Sequence, residues 1–201
     1  LAINDAPIVA AYPALAALLD KSTGDEPVAF RAINAHFRLG EYVNAAALAR
    51  FAARAETPAK LRAEAVTQLG NWAKPSARDR IVGIYRPLLQ TTRDAQVARD
   101  ALAPVLTALL DAKAPAPVQA AAIGAVEKLQ IATAADTLFA VLGDENQPAA
   151  NRISALNALD NIKDARLPEA VKIASTSATS RLRLAALPIT ARLSPDAAAP
   201  A

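Results

Sequence analysis

The sequence has no cysteine, no methionine, a single histidine, a single tryptophan and only six glycines. Each shortage excludes something. Without cysteine there is no disulfide frame and no thiolate metal site, although this leaves the redox compartment open. One histidine leaves too few nitrogen ligands for a transition-metal centre. His36 would also have to serve alone in any Ser–His–Asp set, and nothing marks its partners, so it reads as a structural or solvent-facing residue. The glycines form neither GxGxxG nor a P-loop. The acidic pairs Asp25–Glu26 and Asp144–Glu145 offer fewer oxygens than calcium takes. No apolar run approaches the ~18 residues that suggest a membrane-spanning helix, and no signal-peptide pattern opens the chain. With no methionine at position 1, Leu1 is not expected to be a translation start, and the chain reads as processed or as a piece of something longer. The expectation is a chain that is not an enzyme, with no catalytic residues, cofactor or metal.

What is present is alanine, 53 of 201 residues. Alanine is the best helix former, while glycine and the aromatics, here only 4% of the chain, favour helices less. With 53% hydrophobic and 20% charged residues the chain is too apolar for disorder. An all-helical protein with small-residue contacts follows. The formal net charge of +3 is modest and does not by itself point to nucleic acid.

A small residue followed by an apolar one recurs within helical spacing, at Ala32–Ile33, Ala65–Val66, Ala122–Ile123, Ala155–Leu156 and Ala186–Leu187. The alanines are 33, 57, 33 and 31 residues apart. A period near 33 with one excess of 24 implies an array interrupted once, at about residues 71–93. Each period holds two helices, the second carrying the alanine anchor. The hairpins are expected at about 8–39, 43–70, 94–130, 134–161 and 166–193. Candidate first helices include IVAAYPALAALLD and AQVARDALAPVLTALLDA, the latter with Leu102, Val105, Leu106, Leu109 and Leu110 on one stripe. Pro27, Pro58, Pro117 and Pro148 stand at the starts of second helices, where a missing N–H costs little. Gly40, Gly70 and Gly143 follow helix ends, where a left-handed cap suits glycine. Asp94 and Asn151 suit first-turn or capping positions. A two-helix unit this short cannot bury its own apolar face. Stacked neighbours would share one core, as a right-handed α-α superhelix of about five hairpins over residues 1–193. Residues 194–201, SPDAAAPA, read as a Pro/Ala-rich tail or linker.

The second-helix pattern, with a preceding proline and an arginine at 62, 152 and 183, resembles the HEAT repeat family in its short form. The segment QPAANRISALNALDNIKDARLPEAVKIAS resembles one such unit from end to end, and the resemblance covers most of residues 27–193. The interrupting segment LGNWAKPSARDRIVGIYRPL resembles one in the helical region of large bacterial multidomain proteins described as membrane-bound or sugar-type dehydrogenases. Trp72, Pro75, Asp79, Arg80, Gly83, Tyr85, Arg86, Pro87 and Leu88 carry that resemblance. It implies a periplasmic or otherwise extracytoplasmic array between a β-propeller and a c-type cytochrome. Neither a propeller nor a CxxCH haem motif lies in these residues, so the implied chemistry would lie outside them.

The interruption holds Lys74, Arg78, Arg80, Arg86 and Arg93 against Asp79 alone. One reading is a docking surface for a neighbouring domain or anionic partner, formed by Trp72, Lys74, Arg78, Arg80, Tyr85, Arg86 and Arg93. The other is a long loop pinned by Trp72, Ile81, Tyr85 and Leu88, its arginines solvated. Arg62, Arg152 and Arg183 share one repeat position, filled elsewhere by Gln119 and Ala29. They form either a basic ladder or structural bonds to a carboxylate or helix-end carbonyl nearby, for example from Arg152 to Asp144 or Glu145. The expected function is a non-catalytic scaffold that binds a protein or positions neighbouring domains. The alternative is a stand-alone HEAT-like module binding nucleic acid or another anionic partner. Against it stands the lack of an aromatic and basic stripe across several repeats.

Overall fold

A computed structural model describes residues 2–6, 8–21 and 24–194. The chain is all-helical, and no strand forms among the described residues. The tail lies outside these residues, apart from Ser194.

Twelve α-helices follow in chain order among the described residues: α1 (Ala2–Asp5), α2 (Tyr12–Ala16), α3 (Glu26–Leu39), α4 (Tyr42–Ala53), α5 (Ala59–Gly70), α6 (Ala95–Leu102), α7 (Leu106–Leu110), α8 (Ala116–Leu129), α9 (Ala135–Gly143), α10 (Ala149–Asn161), α11 (Leu167–Ser175) and α12 (Ser180–Leu193). The helices α3, α5, α8, α10 and α12 carry the alanine anchors, and each packs on the next. The helices that precede them also meet in order, with α4 against α6, α7 against α9 and α9 against α11. All five anchor alanines are fully buried. The core is built from Ala, Leu, Ile and Val, with Phe37, Phe51 and Trp72 as its large members.

Proline sets several boundaries. Pro58 and Pro148 stand immediately before α5 and α10, and Pro115 does the same for α8. Pro27 and Pro117 lie in the first turns of α3 and α8. Asp25 caps α3 by accepting from the Val28 N–H at 3.2 Å, and Asp94 caps α6 through Gln96 at 2.8 Å. Each cap satisfies a donor the helix leaves unpaired.

Proline also corrects two expected helices. The stretch 95–112 is not continuous: α6 stops at Leu102 and α7 starts at Leu106. Pro104 has no N–H to give and its ring clashes with the carbonyl one turn back. The apolar stripe survives the break, since Leu102, Leu106, Leu109 and Leu110 are all buried. Residues 8–20 likewise divide into a 3-10 turn at Val9–Ala11, then α2, then a second 3-10 turn at Leu19–Lys21. Pro13 opens α2, where it cannot continue a helix from upstream.

The glycine expectations divide. Gly40 follows α3 with φ of 76°, a left-handed cap. Gly70 and Gly143 instead remain inside the last turns of α5 and α9. The left-handed residues after α8 and α10 are Gln130 and Lys163, each with φ of 56°. Gly70 has a different use: a Cβ there would stand 3.0 Å from the Ala125 Cα. Its missing side chain lets α5 and α8 approach closely.

Candidate functional site

Residues 71–94 connect α5 to α6 without a helix. Their ends are tied, since Arg93 N–H donates to the Ala73 carbonyl at 3.2 Å. Between them the chain makes a tight turn. Arg78 and Tyr85 form an isolated antiparallel bridge. Asp79 N–H donates to Ile84 O at 3.0 Å, and Gly83 N–H returns to Asp79 O at 2.9 Å. Gly83 supplies the φ of 72° that the reversal requires.

Asp79 is the centre of this segment. Its carboxylate Oδ1 accepts the N–H groups of Ile81 and Val82 at 2.9 and 3.2 Å, which shapes the turn. Oδ2 accepts from Asn34 Nδ2 at 3.1 Å and Arg38 Nη1 at 3.5 Å. Arg86 Nη1 lies 3.7 Å from the same oxygen. The Asp79 side chain is wholly buried. A buried carboxylate is tolerated only when it is paired and hydrogen-bonded, and here both conditions hold. The network extends to the chain's first helix. Asn34 Nδ2 also donates to Asn4 Oδ1 at 2.7 Å, and Arg86 Nη2 donates to the Asp5 carbonyl at 2.8 Å.

Trp72 and Arg93 form the second anchor. The Trp72 ring is 1% exposed and meets Phe37 edge-on, with centroids 5.9 Å apart. The Arg93 guanidinium lies 5.0 Å from the Trp72 ring centre and 5.1 Å from that of Phe37. It donates to the carbonyls of Phe37 and Arg38 at 2.6 and 3.3 Å, so it finishes the C-terminus of α3. A Cβ on Gly40 would stand 2.6 Å from the Arg93 Cζ. Arg80 makes a third tie, a two-pronged bond to Glu64 with both distances 2.7 Å.

The seven residues expected as a docking set therefore face two ways. Trp72, Arg86 and Arg93 turn inward and present little to a partner. Arg80 is exposed but already holds Glu64. Lys74, Arg78 and Tyr85 face outward. Tyr85, also expected as a pinning residue, is 74% exposed, and beside it in sequence Ile84 is 51% exposed. Leu89 is fully exposed. The pinning falls to Trp72 and the half-buried Leu88. Beside Leu89 an open groove of about 530 Å³ runs along Thr91, Arg93 and Val97.

The repeat arginines bond to helix ends. Arg62 Nε donates to the Ala52 carbonyl at 2.7 Å, and Arg152 Nε to the Leu142 carbonyl at 2.8 Å. Both acceptors lie in the last turn of the preceding helix, where carbonyls lack partners. Arg152 thus does not take Asp144 or Glu145 as its hydrogen-bond partner. Asp144 instead accepts from Asn146 and Gln147 in its own turn, and its pKa is lowered chiefly by the backbone bond from Asn146. Gln119 does the same work, reaching the Leu110 carbonyl at 3.1 Å. Asn151, in the first turn of α10, caps nothing and donates to Gln119 Oε1 at 2.6 Å. Arg183 differs: it is exposed and bonds the Ser177 and Ala178 carbonyls at 2.8 and 3.0 Å.

His36 is half-buried, with its Nδ1 3.1 Å from Asn44 Nδ2. Asn44 Oδ1 accepts the Glu41 N–H at 3.1 Å, which leaves the amide nitrogen to donate to the imidazole. Burial lowers the His36 pKa, against a backbone bond to Ala16 that raises it. Asp20 and Arg50 act on it with opposite signs. Among the described residues no three His, Cys, Asp or Glu side chains gather as a metal site would need. Among the same residues no helix is long and apolar enough to cross a membrane.

Asn4, Asn34 and Arg38 were not among the expected site residues. One signal for them existed: Asn34 directly follows the anchor Ile33 within an apolar run. No protein-family pattern matches the chain, and no curated protein matches it.

Proposed function

We propose that this chain is a non-catalytic interaction scaffold, built as a HEAT-like α-solenoid, whose 71–93 segment is its contact surface. Three features support the solenoid. The anchor helices pack in sequence order, the anchor alanines are buried in every unit, and Arg62, Gln119 and Arg152 repeat one helix-end bond. A stack of such units offers an extended surface for a partner.

The observation that carries the contact surface is the two-sidedness of the segment. Its inner face is fixed by Asp79, Trp72 and Arg93, while Tyr85, Ile84 and Leu89 are exposed, as are Lys74 and Arg78. An exposed aromatic held on a rigid base, with an arginine paired to it across the turn, has the residue types enriched at interfaces. The dehydrogenase-like resemblance suggests the partner, namely flanking domains of a bacterial extracytoplasmic redox protein. The nucleic-acid reading is weakened because Arg80, Arg86 and Arg93 are spent on internal bonds.

The test is a binding titration between this chain and the domains encoded beside it, with Tyr85→Ala and Leu89→Asp as variants. Binding that weakens tenfold or more in the variants supports the reading. Binding indifferent to both would move the contact elsewhere. Duplex DNA affinity that falls steeply with salt would restore the nucleic-acid alternative.

A further inference from the structure

The connections between helices differ in how their backbone is tied. Main-chain bonds close the turns from α4 to α5, α7 to α8, α9 to α10, α10 to α11 and α11 to α12. In that order, Thr57 N–H donates to the Arg54 carbonyl, Ala114 to Asp111, Gln147 to Asp144, Leu167 to Asp164 and Ser177 to Ala174. The 71–93 segment is tied likewise on both sides of one stretch, by Arg86 N–H on Ala77 O at 2.8 Å and Arg93 N–H on Ala73 O at 3.2 Å. Between these ties lie residues 87–92, which form neither helix nor ladder. Among the described residues no main-chain group of theirs finds a hydrogen-bond partner. Leu88 is half-buried and packs on the core, while Pro87, Leu89, Gln90, Thr91 and Thr92 are exposed. The open groove beside Leu89 leaves this stretch accessible.

A peptide bond is hydrolysed after the chain around it has been laid out as a strand in the enzyme's cleft, its N–H and C=O groups paired there. A bond inside a helix or ladder must first be freed by local unfolding. Residues 87–92 have only the Leu88 side-chain contact to give up. Other exposed apolar side chains lie in helices, as Tyr42 and Val43 do in α4 and Leu184 and Leu187 do in α12. Exposed, unpaired backbone is where nicking concentrates.

We propose that residues 87–92 are a proteolytic processing site, cut between Leu89 and Gln90 by an endopeptidase that takes a large apolar side chain. Water adds across that amide bond, leaving a carboxylate on Leu89 and an ammonium on Gln90. The cut chain stays one folded body. Arg93 on the downstream piece still holds the Phe37 carbonyl and lies over the Trp72 ring on the upstream piece. Gly70 still packs against Ala125, and α4 still meets α6. The Asp79 network is untouched, because Asn4, Asn34, Arg38, Asp79 and Arg86 all precede the cut. Processing therefore alters the outward side of the segment and leaves its inner face in place.

The test is limited digestion of the native full chain with a trace of subtilisin, whose broad specificity reports conformation more than sequence. Products are weighed by mass spectrometry. The first cut among residues 24–194 is expected within 87–92, with fragments ending at Leu89 and beginning at Gln90 as the major pair. The nicked protein should elute from gel filtration where the intact chain does, keep its helical circular dichroism, and separate into two pieces only in denaturant. Leu89→Asp should slow the cut at that bond by about tenfold or more, with an unchanged melting temperature because the side chain is already exposed. A first cut inside any helix would overturn the proposal. So would survival of 87–92 at protease levels that degrade the urea-unfolded chain, a rate indifferent to Leu89→Asp, or halves that part without denaturant.

Discussion

The helical units and the segment that interrupts them are held together by different means. A unit is closed by short-range bonds: Arg62 reaches back ten residues to Ala52, and Arg152 ten residues to Leu142. The interruption is closed by long-range ones. Asp79 meets Asn34 and Arg38 across more than 40 residues, Arg93 meets Phe37 across 56, and Arg86 reaches Asp5 across 81. A bond within a unit recurs wherever the unit recurs. A bond between distant segments occurs once, so no repetition announces it. The difference also separates roles: bonds within a unit recur along the chain, and the interruption ties α1, α3 and α5 to one another.

The largest test of this contrast is Asp79→Ala. It leaves Arg38 and Arg86 facing an empty buried site, and a loss of about 3–5 kcal/mol is expected in urea unfolding. A loss under 1 kcal/mol would mean that the carboxylate network does not hold the segment. Trp72→Ala opens a cavity beside Phe37 and Arg93, with an expected loss of about 3–5 kcal/mol. An unchanged melting temperature would show the segment to be free of the core.

Breaking a unit should cost less. Arg152→Ala strands one helix-end carbonyl, for a loss of about 1–3 kcal/mol. If Arg152→Ala proves costlier than Asp79→Ala, the contrast between the regions fails. His36 gives a pH-dependent version. Its folded-state pKa is lowered from 6.5, chiefly by burial. The unfolded chain therefore binds the proton more readily, and stability is full above that value and falls as pH drops through it. Protonation would also set a ring N–H against the Asn44 amide. His36→Gln should flatten the pH dependence of stability in that window, as read by melting curves at several pH values. The smallest effect is expected from Arg78→Ala, whose side chain is exposed and bonds only the nearby Gly83 carbonyl among the contacts resolved. Its stability change should stay within about 0.5 kcal/mol, so any effect on partner binding could be read cleanly.

Much of the unit architecture was legible. Alanine content, helical spacing and the anchors at 32, 65, 122, 155 and 186 located the second helices closely. The departures came from proline and glycine chemistry. Pro104 sits inside a stripe that stays apolar on both sides, so periodicity read through the break. Gly70 resembled a cap because it ends a helix, but its value lies in a neighbour 55 residues away in sequence. The site was only half legible. Composition marked residues 71–93 as unusual and Trp72 as an anchor, but charge counting treated Arg80, Arg86 and Arg93 as free cations.

The sequence alone determined the helical class, the spacing of the anchor alanines, the place of the interruption and four of the five buried anchor pairs. These follow from local propensity and spacing, which a chain carries whatever its surroundings. Only the tertiary structure decided which cations remain available. That outcome depends on whether Asp79, Glu64 and the end of α3 come within hydrogen-bond reach. It decided too that Leu187, identical in pattern to four buried anchors, should stand in water. Burial is a property of what lies next to a residue, and for the last helix nothing in the chain's own pattern says what that is.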